Sequence, residues 1–388
     1  MRTIKFGVIG TGLRSGLAGL AHRPEEGWIL GAAADPNEGR LKKFVENYPD
    51  AKTFTDYRDM LACPEIEVVF ITSPDYCHEE QACAALEAGK AVYLEKPMAI
   101  TIEGCDRILR TAMATGSKIF VGHNMRHFPA ILKMKEVIDS GIIGDIQCGW
   151  CRHFISYGGD AYFKDWHSEQ KFSNGLLLQK GAHDIDVMHW LMGAYTTDVA
   201  GMGRLSVYDK CARRSPDVEG DPLFNESNWP PLSQVGMSPV IDVEDHNMIL
   251  MQLDNGAQAA YLQCHYAPDA ERNYTFIGTK GRVENIGDFG NCQVHVWTTR
   301  GSRSNPDIVY HLREIGGTHG GADPRIVSNF LDFVRNGART NTSPVAARNS
   351  VAVGVLGHRS MRTDGGRLHV PPLDRETIEY FANNQEKK

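Results

Sequence analysis

The chain of 388 residues has no long apolar run; none reaches the roughly eighteen residues that a membrane-spanning helix needs. It has no excess of positive charge either. Its 41 Lys and Arg stand against 48 Asp and Glu, a net −7, which argues against a nucleic-acid surface. Cysteines are not evenly paired: nine are scattered from Cys63 to Cys292, which excludes a disulfide scaffold. The opening MRTIKFGVIG enters a strand at once, leaving no room for a signal peptide, so the thiols are expected to be reduced in a cytoplasmic protein. Cys148-Gly-Trp-Cys151 has redox-motif spacing, but it lies in the strand-like IQCGWCRHFI, where residues three apart point to opposite faces. No second Cys pair completes a zinc site. Hydrophobic residues at 42% and charged at 23% are ordinary globular values, and the length implies two domains.

The first 122 residues alternate strand and helix signals. Strands are expected at Ile4–Ile9, Trp28–Ala34, Glu67–Thr72, Ala91–Leu94 and Lys118–Gly122, with helices over Arg40–Asn47, Glu79–Ala88 and Glu103–Ala114. Such alternation predicts a Rossmann-type, doubly wound parallel sheet. Beyond residue 123 the pattern changes. Helices are expected at Ala130–Asp139 and Leu176–Leu191, and strands at Ile146–Ile155, Met248–Leu253, Ala257–His265, Tyr274–Gly278 and Cys292–Trp297. Asn255-Gly256 marks a hairpin. Residues Ser215–Pro239 read as a surface loop, and helices Pro324–Arg335 and Pro344–Met361 close the chain. The expected fold is α/β: a Rossmann domain over 1–123 and an α+β domain with a large, mostly antiparallel open sheet over 124–388, the helix near 344–361 packing back on the first.

Gly10-Thr11-Gly12-Leu13-Arg14-Ser15-Gly16 follows the first strand and opens a helix. Gly10 permits the tight turn and Gly12 the approach of a pyrophosphate; Ser15 holds the usual third-glycine position. Asp35 ends the second strand, where a carboxylate accepts from ribose hydroxyls and repels a 2′-phosphate. NAD is therefore expected over NADP. An N-cap role for Asp35 is compatible with this.

Two further segments carry a resemblance. Thr72-Ser73-Pro74-Asp75-Tyr76-Cys77-His78 through Ala88-Gly89-Lys90-Ala91-Val92-Tyr93-Leu94-Glu95-Lys96-Pro97 is similar to the Gfo/Idh/MocA oxidoreductases, a family that includes glucose–fructose oxidoreductase and inositol dehydrogenases. The similarity continues through Asn124–Pro129 and Gln179–Asp186. It implies NAD(P), sugar or cyclitol substrates, and a homodimer or homotetramer. The cofactor-binding set is then Gly10, Thr11, Gly12, Leu13, Arg14, Asp35, Ser73, Pro74, His78, Glu95, Lys96 and Asn124.

Glu95-Lys96-Pro97 ends a parallel strand, where doubly wound sheets bind ligands, and Pro97 biases Lys96 towards an extended backbone. Its amine can polarise a substrate oxygen; a surface lysine before a turn proline is the plain alternative. Gln179-Lys180-Gly181-Ala182-His183-Asp184-Ile185-Asp186 matches the family's Asp-x-Gly-x-His-x-x-Asp except that Gln179 replaces the first Asp. Positions 179, 183 and 186 are expected on one helix face. His183 is the expected acid/base, supported by Asp186; a structural helix histidine is the alternative. His189 lies off that face, so no metal site is expected.

Trp166 and His167, in an aromatic and polar stretch from Tyr157, suit a sugar ring; Arg126 and the glycine-flanked His319 are further substrate candidates. The expected activity is NAD-dependent oxidation of a secondary alcohol of a sugar, sugar derivative or cyclitol. Two alternatives are a redox-assisted glycosidase retaining NAD and an NAD-responsive binding regulator without catalysis.

Overall fold

Short apolar runs buried on both sides form β1 (Ile4–Ile9), β2 (Trp28–Ala34), β4 (Ile66–Ile71), β5 (Ala91–Leu94) and β6 (Ile119–Val121), joined by a short β3 (Lys52–Phe54). The computed structural model describes residues 2–288, 290–301, 304–313 and 315–386. These strands pair in parallel in the order β3-β2-β1-β4-β5-β6. The order reverses at β1 and β4, and the loops leaving those two strands lie side by side. Gly10 has φ +87°, and a Cβ there would come within 2.7 Å of the Ser73 backbone, so glycine is what lets the loops meet. Such a switch point is where doubly wound sheets bind ligands. β3 escaped the sequence reading because Lys52 and Thr53 are exposed and the strand has only 3 residues.

The chain divides into two units, one comprising Met1–His127, Gly321–Arg348 and Leu373–Lys388, the other Phe128–Gly320 and Asn349–Pro372. A single cut after residue 123 therefore gives way to a chain that returns to its first unit. Helix Ala322–Asn336 returns because one stripe is apolar: Ile326, Val327, Phe330, Leu331 and Phe333 are buried. The Phe330 ring lies 5.2 Å from Phe70, 5.3 Å from Tyr93 and 5.5 Å from Phe120. Beyond helix Arg375–Ala382, which sequence reading missed, the Gln385 amide takes the Ile119 N–H at 2.8 Å and donates to its carbonyl at 2.7 Å. That covers the β6 edge.

The second unit holds β7 (Ile146–Phe154), β8 (Thr196–Arg204), β9 (His246–Leu253), β10 (Gln258–Cys264), β11 (Glu271–Gly278), β12 (Arg282–Ile286), β13 (Gln293–Trp297), β14 (Ile308–His311) and β15 (Leu368–His369). They form one sheet in the order β14-β13-β12-β11-β7-β10-β9-β8-β15, antiparallel except between β7 and β10. Gly256 takes φ +89° in the expected hairpin between β9 and β10. Along β9 the buried Asn247, Ile249 and Met251 alternate with exposed Met248 and Leu250. Cys148 and Cys151 sit on β7, and all nine cysteines are free thiols. The single helix expected over Leu176–Leu191 is two, Leu176–Gln179 and Gly181–Met192, parted at Lys180.

Phe330→Ala should remove about 3–5 kcal/mol from the first unit. Hydrogen exchange at β4 and β5 amides reads this; unchanged protection would mean that the returning helix is not part of that core.

Candidate active site

After β1, the loop enters a 3-10 turn, Leu13–Ser15, and then helix Gly16–Ala21. Gly12 is extended, and no atom lies within 4 Å of the position its Cβ would take, so the backbone is open to a close ligand. Ser15 donates through Oγ to the Gly12 carbonyl at 2.7 Å, closing the loop from the third-glycine position. Leu13 is exposed. Asp35 is buried; its Oδ2 accepts from Thr11 N at 2.8 Å and Thr11 Oγ1 at 3.0 Å, and its Oδ1 from Asn37 N at 2.9 Å. The cap of the next helix is Asn37, which accepts from Arg40 N, so Asp35 does not serve as that cap. An oxygen with one partner retains a lone pair for a hydroxyl donor. An open glycine backbone beside a carboxylate of this kind fits a dinucleotide.

Arg14, Glu95 and Asn124 form one network. Arg14 donates to Glu95 Oε1 at 2.8 Å and to Asp323 at 3.1 Å, while Asn124 Nδ2 donates to Asp323 Oδ1 at 2.8 Å. Burial alone would lower the Arg14 pKa, but the two carboxylates outweigh it and hold the guanidinium charged. Asp323 was not singled out from sequence; an acid in the first turn of a helix is a common capping signal that does not disclose its partner.

Lys96 is half-buried at the end of β5, its backbone N–H on Glu95 Oε2 at 3.2 Å. Pro97 O faces His78 Nδ1 at 2.7 Å, and Ser73 O faces His78 Nε2 at 2.9 Å. His78 thus spans the two loops, with both ring nitrogens on backbone carbonyls; burial lowers its pKa. Ser73 Oγ donates to Gln81 Oε1 at 2.5 Å, and Pro74 caps the turn that follows. Arg126, a substrate candidate from the sequence, is buried, and its guanidinium donates to the Asn341 carbonyl within the first unit.

In the second unit, Gln179, His183 and Asp186 are all buried. With its backbone still in the right-handed helical region at φ −104° and ψ −46°, Lys180 parts Gln179 from the helix carrying the other two. Between them, unanticipated by the motif, Asp184 has 0% exposure. Its Oδ1 accepts from Arg272 Nε at 2.9 Å and Tyr274 Oη at 2.5 Å; its Oδ2 accepts from His153 Nδ1 and Tyr261 Oη, each at 2.9 Å. Arg272 also donates to Asp288 at 3.0 Å. Burial pushes Asp184 up, but these partners hold it below the usual carboxylate range.

Trp166 and His167 stack with centroids 3.7 Å apart, and Asp165 Oδ1 lies 2.6 Å from His167 Nδ1. His319 is exposed at φ +52°, with its ring 6.4 Å from Phe128. Among the described residues no cluster of His, Cys, Asp or Glu could hold a metal ion, and no helix is long and apolar enough to cross a membrane.

A parallel six-stranded sheet with this phosphate loop, and a second unit built on a large mixed sheet, define a dinucleotide-binding oxidoreductase architecture. The chain belongs to the Gfo/Idh/MocA oxidoreductase family: residues 4–123 match its NAD-binding Rossmann fold and residues 135–370 its C-terminal alpha/beta domain. It is 27% identical over 299 residues to YteT of Bacillus subtilis (strain 168), which bears the name of an oxidoreductase; the match covers 65% of this chain and 68% of YteT. It is 33% identical over 194 residues to inositol 2-dehydrogenase/D-chiro-inositol 3-dehydrogenase of Halalkalibacterium halodurans, covering 49% of this chain and 53% of that protein, about half its length. A levoglucosan dehydrogenase solved with NADH and levoglucosan shares the fold at TM-score 0.79 and 18% identity, over 96% of this chain and 100% of that one.

Burial, and then Arg272, push the His153 imidazole down to about 3. The folded ring therefore stays neutral while an unfolded one takes a proton below about pH 6.5. Stability is fully present above that pH and falls on acidification, by up to about 1.4 kcal/mol per pH unit for one such group. His153→Gln should flatten the dependence of unfolding free energy on pH by about that amount between about pH 6 and 4. An unchanged slope in denaturant titrations would show that His153 is not held neutral.

Proposed function

We propose that the protein is an NAD-dependent dehydrogenase that moves a hydride between a secondary alcohol of a sugar, sugar derivative or cyclitol and nicotinamide. The observation that carries this is the setting of Lys96: it ends β5, with Glu95 before it tied to Arg14 of the phosphate loop and Pro97 after it tied through His78 to Ser73. A lysine anchored on both sides by the nucleotide loops suits work on a bound substrate better than a surface role.

NAD, when bound, supplies the hydride acceptor. Gly10, Thr11, Gly12, Leu13 and Arg14 would hold its pyrophosphate and Asp35 its adenosine ribose, with Ser73 and Pro74 near the nicotinamide. Lys96 stabilises the developing alkoxide by hydrogen bonding. His183 accepts the hydroxyl proton, helped by Asp186, while Gln179 contributes hydrogen bonds without charge. Trp166 and His167 offer a stacked surface to a sugar ring. The exposed Met202, Met248 and Leu250 on the outer sheet face support a homodimer or homotetramer, and nine free thiols support a reducing, cytoplasmic setting.

Asp35→Ser should weaken NAD by about tenfold or more, since hydrogen bonds to a charged group are worth about 1.5–3 kcal/mol, and should relax discrimination against NADP. Isothermal titration with both cofactors checks this; a wild-type protein that binds NADP as tightly as NAD contradicts the assignment.

Gln179 gives the sharper test of the chemistry. Oxidation kcat/KM should rise with pH through one dominant ionisation in the histidine range, lost in His183→Ala. In Gln179→Asp the added anion favours imidazolium, so the limb should move up by about one pH unit. A limb that stays or moves down would separate residue 179 from the base.

A further inference from the structure

Lys180 sits where the two helices part, its Nζ 5.4 Å from the centroid of the Tyr157 ring and 5.5 Å from that of Tyr162. The rings themselves are 6.2 Å apart, so the ammonium lies close to both phenols. Burial works against this charge, yet the phenol oxygens hold the lysine pKa above its ordinary value, so it is a cation throughout the physiological range. The other titratable groups facing the cluster are engaged or neutral. Arg272 is shared between Asp184 and Asp288, Lys164 pairs with Asp160 at 2.7 Å, and burial lowers the pKa of both His153 and His265. No Asp or Glu among the described residues forms an ion pair with Lys180; the groups acting most on its charge are the two phenols and the like-charged Arg272, with His153 and His265 also within electrostatic reach.

Each phenol has an O–H to donate as well as lone pairs to accept. Two O–H groups and one cation therefore lie together, Lys180 and Tyr157 half-buried and Tyr162 buried, with no carboxylate paired to the lysine among the described residues. A neutral hydroxyl would accept one donor and leave the charge unmatched. A phosphate dianion calls for a second free cation, and Arg272 is already doubly paired. A carboxylate accepts several donors and balances one charge. We propose that Lys180, Tyr157 and Tyr162 bind the carboxylate of an acidic polyol, so that the substrate is a uronic or aldonic acid. The reaction rests on the dehydrogenase reading; the carboxylate site does not.

The test uses the full chain with NAD present. D-glucuronate, D-galacturonate, D-gluconate, D-glucose, myo-inositol and glucose 6-phosphate are compared by calorimetry, thermal shift and NADH formation. At least one acid should bind about tenfold or more tighter than the neutral compounds, and Lys180→Met should cut that preference to about twofold or less. Should Lys180→Met fail to fold, Lys180→Arg, which keeps the charge, should retain a preference for acids over neutral sugars. Neutral sugars binding as tightly as every acid, a preference that survives Lys180→Met, or glucose 6-phosphate outcompeting the acids would each overturn the proposal. Acids that bind through Lys180 without NADH formation would leave the site standing and remove the dehydrogenase reading. Neutral polyols oxidised while no acid binds would do the reverse.

Discussion

A carboxylate without solvent, Asp184, governs the second unit. An isolated buried charge is costly, and breaking a buried pair by removing one partner typically costs about 3–5 kcal/mol. Asp184 is held by Arg272 and Tyr274 from β11, His153 from β7 and Tyr261 from β10, so helix Gly181–Met192 has one rotational setting on that sheet. Turning it by one residue, roughly 100°, would carry the carboxylate off all four donors. The directions of His183 and Asp186 follow from that setting. Among the described residues Arg272 is the permanent cation paired with Asp184, because His153 is held neutral and contributes a hydrogen bond.

The first unit uses the same device on its phosphate loop. Arg14 joins three stretches distant in sequence: the loop after β1, the end of β5, and the first turn of helix Ala322–Asn336. Two carboxylates on one guanidinium leave a net negative charge, and Asn124 takes up part of it by donating to Asp323. The aromatic cluster around Phe330 anchors the same returning helix through its other face. Apolar packing keeps the helix on the sheet, and the ion pairs fix which end reaches the cofactor loop.

How much of this was legible follows from the range over which each interaction acts. β1, β2 and β5 are continuous apolar runs, and their bounds were read directly. Gly10 and Asp35 announce themselves through local backbone and strand-end chemistry. What could not be read depends on partners far along the chain. β3 is strand only because β2 lies beside it, and residues 321–348 and 373–388 fold with the first unit through buried side chains that no local pattern assigns to one domain. The helix break at Lys180 is a third case, since Leu176–Leu191 is apolar enough to suggest one helix. Asp184 was passed over as the variable residue between His183 and Asp186, and its burial becomes evident only once β7, β10 and β11 are side by side.

The same distinction separates charges that build the fold from those left to act. In the second unit Asp184 and Asp288 neutralise one another's repulsion through Arg272, and burial with that arginine keeps His153 without a proton. Gln179 adds no charge, so any titration near His183 has fewer neighbours to couple with than an aspartate there would give it. Lys180 keeps its charge against neutral phenols. Under the proposed function such a site would separate two tasks, with proton transfer at His183 on the helix and recognition of charge at Lys180 just before it. Lys180, the residue between the two helices, keeps right-handed helical backbone angles and lies beside both Tyr157 and Tyr162.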